Sequence, residues 1–309
     1  MPFFSVIIPL YNKEKFIENT LNSVLNQSFT DFELIIVNDG STDTSEEKIL
    51  QYTDSRIRYF YKENEGVSSA RNYGISVAQS EYITFIDADD YWLPDFLQEM
   101  LQNINQFPNE KVFTAAFEIE TLKKIIPAVY SIKKSSDCQV VNYFEASQKE
   151  SVIWSSCAVF HKSVFEKIGN FDVNLKNAED IDLWIRIGLI YPIVFNWKIL
   201  AKYVYDTNSL SKNYTYSVNP YFFNKYIELE KSNLSLKKLL DYNRFSVALK
   251  CKLNNDMRNF YFFYKGINLM NLSIKKRVLL HLQPFALKIL IKLNHILARM
   301  GLMNSVFKK

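Results

Sequence analysis

The chain has 309 residues, 48% hydrophobic and 23% charged, which suits a globular protein with one large domain plus an appendage and excludes a disordered one. Cys138, Cys157 and Cys251 are too dispersed for a disulfide framework or a CxxC metal site, and the only histidines are His161, His281 and His295. Zinc chemistry and a Ser-His-Asp triad are therefore disfavoured, and the net charge of +4 hides an asymmetry: residues 1–212 carry 20 Lys/Arg against 29 Asp/Glu, residues 213–309 carry 17 against 4.

Phe3 to Pro9 is a short apolar run ending in proline, the pattern of a buried strand that reaches a loop at Tyr11 and Asn12. No charged residue precedes that run, so it does not have the pattern of a signal peptide. Lys13 to Asn26 places Phe16, Thr20, Leu21 and Val24 at helical spacing. Glu33 to Val37 reads as a second buried strand, followed by Asn38-Asp39-Gly40-Ser41-Thr42-Asp43. Asp43 and Glu46 have the spacing of a capping box. Ile57 to Tyr61 is a third strand, Gly66 to Ala78 a helix, Tyr82 to Ile86 a fourth strand and Pro94 to Ile104 a helix. Strand–helix alternation of this kind predicts a mostly parallel sheet with helices on both faces, and ligands bind beyond the carboxyl ends of such strands. Residues 111–205 are less regular, with strand-like runs at Lys111–Phe117 and Val152–Phe160 and a helix over Glu179–Leu189; beyond 213 the pattern is helical. The expected division is an α/β domain at 1–212 and a basic helical region at 213–309.

Polar residues cluster where the strands end. An Asp such as Asp39 can accept a hydrogen bond from a base N–H, and an aromatic such as Tyr11 can stack on the base; the same residues also suit ordinary turns. In Asn64-Glu65-Gly66-Val67-Ser68-Ser69-Ala70-Arg71-Asn72-Tyr73-Gly74, the small residues allow close approach of a helix to the sheet. Arg71, one turn in, is placed to reach a phosphate or to brace a carboxylate. The fourth strand ends in Asp87-Ala88-Asp89-Asp90, a density of charge that needs an offset; Asp87 and Asp89 project to one side if the chain is extended there. Hard divalent cations such as Mg²⁺ choose such oxygens. Ala178-Glu179-Asp180-Ile181-Asp182-Leu183-Trp184-Ile185-Arg186 reads as a helix start rich in acids, which the dipole favours, or as the seat of a general base.

VIIPLYN, VNDGSTD, NEGVSSARNYGI, FIDADDYWLPD and AEDIDLWIR, in that order over roughly residues 3–212, resemble glycosyltransferase family 2 with its GT-A nucleotide-diphospho-sugar transferase fold. The resemblance implies an α/β, Rossmann-like, mostly parallel sheet flanked by helices, with a helical C-terminal extension. It implies an inverting, metal-dependent enzyme using Mn²⁺ or Mg²⁺ and a nucleotide-sugar donor, with UDP preferred. Pro9, Tyr11, Asp39, Arg71 and Asp87 then belong to the donor side, Asp89 matches the metal aspartate of the DxD motif, and Asp180 matches the catalytic base. Glu179 and Trp184 fall on the acceptor side, and Trp154 either joins them or packs in the core. The family's usual His and Arg ahead of the Ser-x-Ser pair are missing here: Val204-Tyr205-Asp206-Thr207 precedes Ser209-Leu210-Ser211. With no QxxRW motif and no apolar run near the roughly 18–20 residues of a membrane span, single-sugar addition to a glycan or lipid-linked glycan in surface polysaccharide or oligosaccharide synthesis is expected rather than processive polymerisation. The alternative is a non-catalytic nucleotide-sugar-binding partner of a glycan assembly complex.

Residues 257–309 hold ten Lys/Arg and no acid, and Lys288, Lys292, His295 and Arg299 recur at helical spacing among apolar residues. This suits a helix at an anionic membrane interface, or a basic subdomain packed on the acidic domain or on a second copy. No nucleic-acid-binding motif is present. The expected location is cytoplasmic, with peripheral contact at the cytoplasmic membrane face.

Overall fold

The computed structural model describes residues 1–121, 124–205 and 220–299. The chain forms two compact units, Met1–Thr207 and Asn208–Lys309. The first contains strands β1 (Phe4–Leu10), β2 (Phe32–Asp39), β3 (Ile57–Lys62), β4 (Tyr82–Phe85), β5 (Tyr91–Trp92), β6 (Val112–Glu120), β7 (Ile125–Pro127), β8 (Cys138–Val141), β9 (Ala158–His161) and β10 (Ile193–Val204). Its helices are α1 (Ile17–Leu25), α2 (Ser45–Ile49), α3 (Val67–Val77), α4 (Phe96–Gln106), α5 (Tyr143–Ala146), α6 (Ser163–Ile168) and α7 (Glu179–Gly188).

All ten strands join one sheet in the order β3-β2-β1-β4-β9-β6-β10-β5, with β7 on β6 and β8 on β10. The β3-β2-β1-β4 half is parallel, as its near-continuous apolar strands require when both faces are covered. The other half is mixed, because β9 runs antiparallel to both of its neighbours while β6 and β10 are parallel. The strand order reverses at β1, which has β2 on one side and β4 on the other. Pairing of β1 with β2 continues to Leu10↔Asn38, whereas pairing with β4 ends at Ile7↔Phe85. The carboxyl end of β1 is thus the topological switch point where α/β sheets bind ligands.

Helix α3 lies close against β1, as its small residues imply. A Cβ on Gly74 would come within 2.4 Å of Ile7 Cγ2. Behind the sheet, Trp184 of α7 stacks on Phe160 of β9 with ring centroids 5.4 Å apart, and Phe85, Phe165 and Phe171 complete that aromatic core.

Several local expectations change. Helix α1 begins at Ile17 rather than Lys13, because the Lys13 and Glu14 backbone N–H groups donate to Ser45 Oγ (2.9 Å) and Asp43 Oδ2 (3.0 Å). Asp43 does not form a capping box; Thr44 is the N-cap residue of α2, and the other Asp43 oxygen accepts from Ser45 N. Of the run Val152–Phe160, only the end from Ala158 is strand, since Ser155–Cys157 forms a 3₁₀ turn.

The second unit is helical over Pro220–Asn224, Leu229–Ser232, Leu234–Leu253, Met257–Lys265, Ile274–His281 and Pro284–Arg299. Its polar core is paired: Arg244 donates to both Glu230 oxygens at 2.6 and 2.9 Å, and fully buried Asp241 accepts from Lys237 Nζ, Asn268 N and Asn271 Nδ2. Among the described residues, no helix is long and apolar enough to cross a membrane.

Candidate active site

Two loops meet at the carboxyl ends of β1 and β2. Asn12, in the left-handed region at φ 50°, receives Thr42 N on its Oδ1 (2.8 Å) and donates its own N–H to Ser41 Oγ (3.1 Å). Pro9 is buried within β1, and Tyr11 is half-buried just beyond it. Asp39 ends β2 almost fully buried; its carboxylate accepts from Lys62 Nζ (2.8 Å), Glu65 N (3.1 Å) and Gly66 N (2.7 Å). An ionised carboxylate has about four lone-pair positions, so one direction remains for a base N–H. Gly40 is required beside it, because it sits at φ 73° and a Cβ would come within 2.9 Å of Asn64 N.

After β4 the chain turns rather than running on extended. Asp90 N donates to Asp87 O at 2.9 Å, so Asp87 and Asp89 do not share a face by strand alternation. Each finds its own cation instead: Asp87 Oδ1 accepts from Arg71 Nη2 at 2.6 Å, and Asp89 pairs with Lys13. Asp90 turns inward and is buried, its oxygens accepting from Ser156 Oγ (2.6 Å) and Val204 N (3.2 Å). The same Ser156 hydroxyl oxygen accepts from Asp87 N at 3.1 Å. Asp90 and Ser156 therefore set the shape of the turn that presents Asp87 and Asp89. Burial raises the Asp90 carboxyl well above the usual range, and the charges of Asp87 and Asp89 push the same way.

Arg71 is the structural centre of the site. It is 4% exposed, lies over the Phe171 ring at 5.2 Å and carries its charge between two carboxylates, since Nη1 is 3.8 Å from Glu179 Oε1 while Nη2 bonds Asp87. Of the two roles open to it from sequence, it braces carboxylates. Glu179 opens α7 after Ala178, which adopts the left-handed conformation at φ 63°, an uncommon choice for a residue with a Cβ. Burial, followed by the neighbouring Asp180 charge, pushes the Glu179 carboxyl up to about 7. Asp180 is half-buried beside it and accepts from Ile181 N at 2.7 Å. Fully buried Asp182 pairs with Arg186 (2.8 Å), whose guanidinium also donates to the carbonyls of Ile168, Gly169 and Asn170 and so fixes α7 to the preceding loop.

A family model described as glycosyl transferase family 2 matches residues 5–169, more than half of the chain and the span that contains Asp39, Arg71, Asp87, Asp89 and Ser156. The chain belongs to glycosyl transferase family 2. An uncharacterized glycosyltransferase of Rickettsia typhi is 32% identical over 206 residues, 65% of this chain and 63% of that protein. The uncharacterized glycosyltransferase EpsJ of Bacillus subtilis is 31% identical over 186 residues, 58% of this chain and 54% of that protein. The chain thus spans between about half and three-fifths of these relatives' lengths. Among solved structures, residues 1–349 of S. aureus TarS in complex with UDP-GlcNAc align with a TM-score of 0.67 at 21% identity, covering 97% of this chain and 92% of that one. That likeness establishes the GT-A fold.

The residues expected on the acceptor side of this family 2 chain divide. Glu179 faces Arg71, as described. Trp154 is half-buried and rests on Phe117 (ring centroids 4.5 Å) and Tyr203 (5.5 Å), so it has both a packed and an open side. Trp184 does not reach a site surface: although it lies one helical turn from Asp180, it is 2% exposed and its ring is stacked on Phe160 in the aromatic core. The segment 206–211, including the Ser-x-Ser pair, lies outside the described residues.

Asp87 and Asp89 offer oxygens of the kind that hard divalent cations choose. Asp87, Asp89 and Asp90 are crowded in one turn, where among the described residues Lys13 pairs with Asp89 and Arg71 with Asp87, and burial raises the Asp89 carboxyl against the lowering effect of Lys13. Among the described residues, no three or more His, Cys, Asp or Glu side chains are arranged to hold a metal alone. A cation on Asp89 would complete its shell from phosphate oxygens and water, as Mg²⁺ commonly does. Lys13, Asp90 and Ser156 escaped the sequence-based assignment of roles. Asp90 was visible inside the DADD cluster and Ser156 beside Trp154, but a loop lysine such as Lys13 gives no signal.

Proposed function

We propose that this chain is an inverting glycosyltransferase that moves one sugar from a nucleotide-sugar donor, of the UDP class, to a hydroxyl of a glycan or lipid-linked glycan in surface polysaccharide or oligosaccharide synthesis. The observation that carries the proposal is the Arg71 bridge. One buried guanidinium touches Asp87 just after β4 and approaches Glu179, the neighbour of Asp180, at the start of α7, so a single side chain links the two segments. The switch-point position of Pro9, Tyr11 and Asp39 supports a base pocket on the same edge.

In this proposal Asp180 takes the proton from the acceptor hydroxyl. The freed oxygen forms a bond to the anomeric carbon as the bond from that carbon to the diphosphate oxygen breaks. The bonding pair leaves with the nucleotide diphosphate, and the anomeric configuration inverts. Asp89 would hold Mn²⁺ or Mg²⁺, which would supply positive charge beside the diphosphate. Lys13 adds a second cation beside Asp89, and Arg71 keeps Asp87 and Glu179 in place. Holding donor and acceptor in line supplies much of the rate.

The test is Asp180→Asn, with transfer and donor binding measured separately. Loss of transfer by about 10²–10⁴-fold, the typical contribution of a general base, with donor affinity by calorimetry unchanged, is expected. Near-normal turnover of the variant would remove Asp180 from the role.

A further inference from the structure

The second unit buries its polar side chains carefully but leaves large apolar ones in solvent. In the helix Ile274–His281, Leu279 and Leu280 are 5% and 1% exposed, while Ile274 and Val278, one turn apart, are 77% and 53% exposed. In the helix Pro284–Arg299, Leu287 is fully buried, and Phe285, Ile289 and Leu293, each four residues from the last, are 75%, 42% and 52% exposed. Residues four apart lie on one face of a helix, so each helix carries an outward apolar stripe. Lys288 and Lys292 are exposed and one position away from Ile289 and Leu293, on the flank of the second stripe. The junction between the helices is tied down from inside. Lys252, 4% exposed, donates to the carbonyls of Leu280 and Leu282, the latter at 2.9 Å.

We propose that these stripes dock the protein on an anionic lipid surface, with Ile274, Val278, Phe285, Ile289 and Leu293 entering the interface and Lys288 and Lys292 reaching the headgroups. Charge selects this occupant. Residues 257–309 have ten Lys/Arg and no Asp or Glu, so two copies meeting through this segment would set like charges against each other. An interfacial helix needs the opposite combination, a basic flank beside an apolar stripe, with long lysine stems lying along the apolar surface. The attraction to acidic headgroups is electrostatic and screened by salt. The proposal is independent of the glycosyl-transfer reading, and its test reads binding rather than activity.

The full chain is mixed with phosphatidylcholine vesicles and with vesicles containing about 30% phosphatidylglycerol, and bound protein is measured by co-sedimentation at low and high salt. Binding to the acidic vesicles that weakens as salt rises, with little binding to the neutral ones, is expected. Phe285→Ser with Ile289→Ser lowers that partition at least about tenfold while thermal unfolding is retained, since both side chains are exposed. Lys288→Glu with Lys292→Glu weakens binding to the acidic vesicles and leaves the weak neutral binding unchanged. Equal partition into both vesicle types, no partition into either, or an unaltered serine variant would overturn the proposal. So would a concentration-dependent dimer that the serine substitutions abolish in the absence of any vesicle binding.

Discussion

Glu179→Gln isolates the electrostatics of the site. The carboxyl stands at about 7 in the folded protein against an ordinary 4.5, chiefly because it is buried and secondly because Asp180 lies beside it. A group whose pKa is raised on folding stabilises the fold most below its unfolded value, and that contribution is lost as pH rises through the folded value. For Glu179 the loss runs from about pH 4.5 to somewhat above 7. At about 1.4 kcal/mol per pH unit, the part falling between pH 5.5 and 8.5 is about 2 kcal/mol. The glutamine keeps the shape and has no proton to lose, so its stability relative to wild type should rise by that amount over the interval. For a unit of this size the corresponding change is about 4–8 °C in Tm. The assay is thermal unfolding of both proteins across that pH range at constant ionic strength. Parallel Tm profiles would refute the argument, because they would mean that Glu179 titrates alike folded and unfolded.

Arg71→Met should leave Asp87 without its cation and raise the Glu179 carboxyl further, since Arg71 is the group holding it down. A cost of about 3 kcal/mol by chemical denaturation is expected, the low end for a broken buried pair because the Asp87 side chain keeps 29% exposure. Gly74→Ala should destabilise by about 1–3 kcal/mol despite alanine's better helix propensity, because the new methyl has no room beside Ile7. In an Ile7→Ala background that extra cost should vanish, which a double-mutant cycle by denaturant unfolding would show.

The parallel half of the sheet was legible because β1 and β2 are continuous apolar runs that end in polar clusters, and α3 because Gly74, Ala70 and Ser68 announce close packing. The mixed half was less so. β10 passes two register irregularities, between Asn196 and Ile199 and between Ile199 and Ala201, which blur its alternation. Trp184 shows the limit of reading a motif as a surface. It stands four residues from Asp180, yet the helix carries it into the core. Asp90 shows the reverse, since adjacent carboxylates look alike in sequence and only burial separates the one that shapes the turn from the two that face cations. Lys13, Arg71 and Ser156 act through side-chain contacts 66 or more residues away in the case of Lys13 with Asp89 and Ser156 with Asp87 and Asp90, and 16 away for Arg71 with Asp87, distances that local pattern does not encode.

The most direct test of the central claim is nucleotide diphosphate release from UDP-, GDP- and dTDP-sugars, each with Mn²⁺, Mg²⁺ or EDTA and with a panel of glycan and lipid-linked acceptors. The account predicts release from a UDP-sugar that depends on the divalent cation and is abolished by EDTA. Release that persists undiminished in EDTA would contradict the cation assigned to Asp89, and calorimetric binding of UDP with no release from any donor and acceptor pair would contradict catalysis itself.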